Sequence, residues 1–152
     1  MKKIAAFFAI SVLILLYSNT LYAQNAPATF KGAQADKKSY KALYVLNSGD
    51  EKHINGTLRN IKNAMNDPRL KGKLEVELIA FGDGVAVYYR NGKFLEQLEA
   101  LRNGGVILAQ CENTIRERKI EKSELFDFIS YVPSGNGEII IRQQQGWSVV
   151  HP

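Results

Sequence analysis

Gly104-Gly105-Val106-Ile107-Leu108-Ala109-Gln110-Cys111-Glu112-Asn113-Thr114 is the stretch that decides how this chain is read. Two glycines stop a helix, and the small or branched apolar residues after them make a strand buried on both faces. The only cysteine of the protein then stands where that strand gives way to the next helix. In open α/β sheets ligands gather at the carboxyl ends of strands, where the first N–H groups of the following helix favour negative charge. A thiolate, or a persulfide built on it, is such a charge. Free cysteine is also among the most buried residue types, so a small packed hydrophobe is the second reading of Cys111.

Upstream of this stretch the same grammar repeats. Tyr40 to Asn47 reads as a first strand ending in the turn Asn47-Ser48-Gly49-Asp50. Ile54, Leu58, Ile61 and Met65 follow at the spacing of one helical face, and Pro68 ends the pattern. Lys73 to Phe81 is a second strand whose alternation begins polar and becomes wholly apolar, and Gly82-Asp83-Gly84 closes it. Those glycines serve a tight turn or a close approach to a ligand. They are not a dinucleotide fingerprint, since Val87 stands where the third glycine belongs. Tyr88-Tyr89-Arg90-Asn91-Gly92 reads as a polar and aromatic loop, and Phe94, Leu95, Leu98 and Leu101 as a second amphipathic helix with Asn103-Gly104 as its left-handed stop.

Downstream, Asn113 and Thr114 are placed to cap a short helix through their side-chain oxygens. Arg116, Arg118 and Lys119 lie within or just beyond it, as a solvated basic face or as stabilisers of a nearby anion. Ser123 and Glu124 open a short turn that buries Leu125 and Phe126, before a fourth strand over Ile129–Val132. After Pro133-Ser134-Gly135-Asn136 come a helix over Glu138–Gln145, stopped by Gly146, and a last strand over Trp147–Val150. Strands alternating with helices across short connections imply an α/β fold with a parallel sheet covered on both faces. Every strand-to-helix junction of such a sheet falls on one edge. Asn47-Ser48, Gly82-Asp83-Gly84, Cys111 to Thr114 and Ser134-Gly135-Asn136 therefore share a rim.

Residues 1–23 read as an export signal: Lys2 and Lys3, an apolar run from Ala5 to Tyr17, and the exit Leu21-Tyr22-Ala23. The run is shorter than the roughly 18 to 20 residues of a spanning helix, so no membrane anchor is expected once the signal is removed. The expected location is a bacterial periplasm or the exterior. Residues 24–38 form a small, polar, flexible leader and 39–152 one domain, a size suited to a single core. Of the formal charge of +5, Lys2 and Lys3 contribute two, and the rest is spread without a basic block, which speaks against nucleic acid. One cysteine cannot form an internal disulfide, and with only His53 and His151 beside it a metal cluster is not expected. Asn55-Gly56-Thr57 fits the glycosylation pattern, a match that arises readily by chance.

Three segments carry a family resemblance: Gly105 to Thr114, Val132-Pro133-Ser134-Gly135, and Arg142-Gln143-Gln144-Gln145-Gly146-Trp147. In that order and spacing they resemble the DsrE/DsrF-like sulfur-relay family over about residues 40 to 152. The resemblance implies a three-layer α/β/α sandwich with a five-stranded, mainly parallel sheet, assembled as a homotrimer or homohexamer. It also implies a cysteine that carries sulfur as a persulfide, here Cys111, with no cofactor. Asn113 and Thr114 would hold the anionic sulfur, Ser134 and Gly135 would form the opposite wall, and Trp147 would serve packing or a subunit contact. A sulfur donor or acceptor, protein or small thiol, would be the partner. The alternative is a non-catalytic module that binds a small anion or sulfur compound, with Cys111 merely packed.

Overall fold

The structure, a computed structural model, describes residues 29–152. The expected signal and the first part of the leader, residues 1–28, lie outside the described residues. Gln34–Pro152 forms one compact unit, and it carries the five-stranded sheet. Its elements run β1 (Tyr40–Leu46), α1 (Glu51–Asn66), β2 (Leu74–Ala80), a 3₁₀ segment (Gly82–Tyr88), α2 (Leu95–Asn103), β3 (Ile107–Cys111) and α3 (Glu112–Arg118). A 3₁₀ turn (Lys122–Glu124), β4 (Ser130–Val132), α4 (Gly135–Gln144) and β5 (Ser148–Val150) complete it.

All four strand pairings are parallel, and the order across the sheet is β4-β3-β2-β1-β5. The first three crossovers step in one direction, while the last returns over the sheet to the far side of β1. Because such connections are right-handed, α1, α2 and α3 lie on one face and α4 alone lies on the other. Strand alternation sorts the core in the same way. Ala42, Tyr44 and Leu46 of β1 join Val76, Leu78 and Ala80 of β2 in the larger cluster, with Ile54, Leu58 and Ile61 of α1, Leu98 and Leu101 of α2, and Ile115 of α3. Leu43, Val45, Ile79 and Ala109 point the other way and pack with Trp147 and with Ile139 of α4. The result is the three-layer α/β/α sandwich with a five-stranded sheet.

Several boundaries differ from the sequence reading. The left-handed residue after α2 is Gly105 (φ 91°), whereas Gly104 keeps a negative φ of −78° and remains in the helix's last turn. Tyr88 is not part of a polar loop: it ends the 3₁₀ segment and is fully buried, with its hydroxyl directed at the Leu78 carbonyl 3.3 Å away. The last helix begins three residues earlier than expected, at Gly135, because the Ser134 hydroxyl accepts from the Gly137 N–H at 3.2 Å and caps it there. Trp147 precedes β5 and is buried, only 5% exposed. Leu125 and Phe126 are buried as expected.

Candidate functional site

Cys111 is both the last residue of β3 and the residue preceding the first turn of α3. Its backbone is extended (φ −69°, ψ 120°), and α3 starts at Glu112. Asn113 and Thr114 consequently stand inside the first helical turn and do not cap α3 through their side chains, contrary to the sequence reading. Their contribution is instead backbone N–H groups, which no residue of a helix's first turn can satisfy within the helix. The Cys111 side chain makes no cap hydrogen bond to α3, and the N–H groups of Thr114, Gly135 and Asn113 and the Thr114 hydroxyl act on its sulfur as nearby dipoles. Burial pushes the thiol up, but these dipoles together outweigh burial and hold it below the ordinary thiol range. The sulfur is recessed, with Cys111 5% exposed.

Two long-range features build this surround. Gly82 follows β2 with φ +56°, a conformation glycine adopts freely, and its N–H donates to the Thr114 Oγ1 at 2.9 Å. With that oxygen accepting from Gly82, the Thr114 hydroxyl proton is left to point at the sulfur. On the opposite side the N-terminus of α4 comes close because Gly135 has no side chain. A Cβ there would lie 2.8 Å from Cδ1 and 3.0 Å from Cγ of the Phe81 ring. Beneath the site, the fully buried Gln110 donates through Nε2 to the Cys111 carbonyl at 3.0 Å and fixes that peptide.

The rim anticipated from the sequence therefore exists, with different duties for its members. Gly135 supplies an amide to the sulfur, whereas the Ser134 hydroxyl is occupied as the α4 cap. The Asn113 side chain turns outward and accepts from Arg116 at 2.6 Å. Nearby cations are likewise engaged: Arg118 pairs with Asp83 at 2.7 Å, and Lys122 with Glu112 at 2.7 Å, its ammonium lying 4.1 Å from the Tyr131 ring centroid. These pairs are largely exposed and stabilise little. Among the described residues no group of three or more His, Cys, Asp or Glu side chains could hold a metal ion. What the arrangement can do is hold one anionic sulfur.

Sequence reading placed Gly82 on the rim without its bond to Thr114, and it missed Phe81 and the ion pair between the buried Glu77 of β2 and Arg142 of α4 at 2.7 Å. One signal for the last was present. Glu77 is a lone charge in the apolar half of a strand destined for a covered sheet, where a carboxylate requires a partner.

The DsrE/DsrF-like family model matches residues 40–152. Among solved structures, the chain is similar to the protein of unknown function MTH1491 from Methanobacterium thermoautotrophicum, at 28% identity and a TM-score of 0.71, covering 75% of this chain and 100% of that one. It shares its fold with the ychN protein of E. coli, at 18% identity and a TM-score of 0.60, covering 74% of this chain and 99% of that one. A conserved protein of unknown function from Bacteroides thetaiotaomicron, BT1422, is similar in fold at 12% identity and a TM-score of 0.59, covering 80% and 100%. Comparison with curated proteins yields no match.

Proposed function

This chain belongs to the DsrE/DsrF-like family, whose membership suggests a sulfur-relay-related role, and from that premise we propose that Cys111 accepts sulfane sulfur as a persulfide and passes it to an acceptor thiol. The observation that carries the reading is the placement of Cys111 at the end of β3 and the start of α3, where the nearby Thr114, Gly135 and Asn113 amides and the Thr114 hydroxyl favour its charged form over the cost of burial. Such fixed dipoles favour charge on the attacking sulfur and on the persulfide that replaces it.

In the loading step the Cys111 thiolate attacks the sulfane sulfur of a persulfide or polysulfide donor. A new S–S bond forms, the donor's S–S bond breaks, and the donor leaves as thiolate or hydrosulfide. In the unloading step an acceptor thiolate attacks the outer sulfur and Cys111 returns as thiolate. Neither step changes the overall oxidation state, so no external oxidant is needed. The proposal includes export directed by residues 1–23 and self-association. Support for self-association is an apolar surface on and beside α4: Ile140, Ile141, Ile107 and Val149 are 62, 52, 41 and 40% exposed.

The test is intact mass after incubation with inorganic polysulfide in the absence of reductant. Wild type gains about 32 Da per sulfur atom, reversed by dithiothreitol, and Cys111→Ser gains nothing. An unchanged wild-type mass defeats the carrier reading and leaves the non-catalytic anion-binding module in its place.

A further inference from the structure

The face of the sheet that α4 covers is thinly sealed. Among α4 residues only Gly135 is fully buried, Ile139 is partly buried against the small cluster, and Ile140 and Ile141 face outward. A helix with so little apolar grip requires another hold, and the structure contains one. Glu77 lies on this face, opposite Leu43 of β1 and Ile107 of β3 in the strand registers, and is 1% exposed. Its Oε2 is 2.7 Å from Nη2 of Arg142, whose Nε is 2.8 Å from Oε1 of Glu138 one helical turn back. The Arg142 guanidinium also lies 4.5 Å from the ring centroid of the buried Trp147. Arg142 is thus held by a carboxylate of the sheet, a carboxylate of its own helix and an aromatic face.

Arg142 stands seven residues after Gly135, two turns along, and both therefore point to the same side of α4 at a separation of about 10 Å. What is fixed at Arg142 sets where the helix begins, and the helix begins at Gly135, three residues after the β4 residue Val132 that pairs with Cys111, with its amide acting on the Cys111 sulfur.

We propose that Glu77 and Arg142 are positioning residues for Cys111: their ion pair seats α4 so that its first amide stays on the sulfur, and it thereby sets the reactivity of a thiol two helical turns away. The inference rests on the carrier reading of Cys111 for its biological meaning, though not for its measurement. The charged groups facing the Glu77 carboxylate are Arg142 and Glu138 of α4, while Leu43 and Ile107 flank it in the sheet. Burial, which outweighs the opposing Arg142 charge, and the Glu138 charge hold Glu77 above the ordinary carboxylate range. A carboxylate kept at such a cost to its ionisation is consistent with a specifying role for the pair, since an apolar residue would fill the same space more favourably.

The experiment is the pH–rate profile of Cys111 alkylation by iodoacetamide in the full chain, for wild type, Glu77→Leu and Glu77→Gln. Glu77→Leu keeps the core apolar and removes the charge by which the sheet holds Arg142, leaving Glu138 and Trp147 beside it. Its alkylation midpoint is expected to rise by about one unit, with alkylation at neutral pH about threefold slower, because lost thiolate is partly offset by a more nucleophilic sulfur. Glu77→Gln keeps an oxygen that accepts from Arg142 but loses the charge, so its midpoint is expected to fall between those of wild type and Glu77→Leu. A merely structural role would lower the melting temperature without moving the midpoint, and an unmoved midpoint in Glu77→Leu overturns the proposal. If Glu77→Leu does not fold, Arg142→Met carries the same test, since methionine keeps an unbranched apolar stem and removes the charge that pairs with Glu77. A raised midpoint there supports the proposal and an unchanged one overturns it. Polysulfide uptake by wild type separates the two readings: no uptake with a moved midpoint sinks the carrier and spares the anchor, and uptake with an unmoved midpoint does the reverse.

Discussion

Replacing Gly135 by alanine is the most direct probe of the amide surround, because it perturbs one donor by a known amount. The added Cβ would stand 2.8 Å from Cδ1, 3.0 Å from Cγ and 3.1 Å from Cβ of Phe81. Carbon pairs rest at about 3.5 Å or more, so the ring or the helix start must yield by roughly 0.5 Å. Phe81 follows β2 directly, and its N–H donates to the Leu46 carbonyl at 3.1 Å, so most of the movement falls on the start of α4. A hydrogen bond to a charged group contributes about 1.5 to 3 kcal/mol, and losing roughly half of one corresponds to about one unit in the Cys111 pKa. Stability is a poor readout here: overpacking costs about 1 to 3 kcal/mol, while alanine in place of a helical glycine returns up to about 1 kcal/mol. The assay is therefore the pH dependence of iodoacetamide alkylation, with intact mass confirming one label on Cys111. The midpoint is expected to rise by about one unit and the rate at pH 7 to fall about threefold. A midpoint within about 0.2 unit of wild type refutes the claim that the Gly135 amide acts on the sulfur.

Two further outcomes follow from the same geometry. Thr114→Val keeps the shape but removes the hydroxyl that accepts from Gly82 and faces Cys111, so it should raise the alkylation midpoint. It should also cost about 1 to 3 kcal/mol in urea unfolding, because the Gly82 N–H loses its partner; normal stability would show that water replaces the hydroxyl. Because the Cys111 pKa is lower folded than unfolded, its ionisation adds stability that is complete above the unfolded thiol value and lost as pH falls through the folded one. The stability of wild type relative to Cys111→Ser should therefore increase as pH rises toward the unfolded thiol value of about 8.5 and level off above it, and a flat or decreasing difference would mean that the thiolate is not favoured by the fold.

Much of this molecule is legible along the chain because helix periodicity, strand alternation and glycine stops are settled between residues a few positions apart. Ile54, Leu58 and Ile61 announce α1, the run before Cys111 announces β3, and the cysteine's place at a strand end follows from those two facts. Errors fell where a cap had to be chosen among neighbours of similar chemistry. Gly105 takes the left-handed position that Gly104 could equally have filled, and Ser134 caps a helix whose glycine-rich first turn, Gly135-Asn136-Gly137, reads as loop. The 3₁₀ segment that buries Tyr88 had no periodic signature to reveal it.

The sequence by itself determined that a single thiol ends a buried strand and precedes a helix. Only the tertiary structure decided that this thiol would be surrounded by amides, since Gly135 reaches it through a crossover that returns over the sheet, and Gly82 meets Thr114 across 32 residues of chain. The physical reason is that the thiol's charge depends on the balance between desolvation and oriented dipoles in three dimensions. Residues far apart in the chain supply those dipoles, so no local pattern encodes the balance.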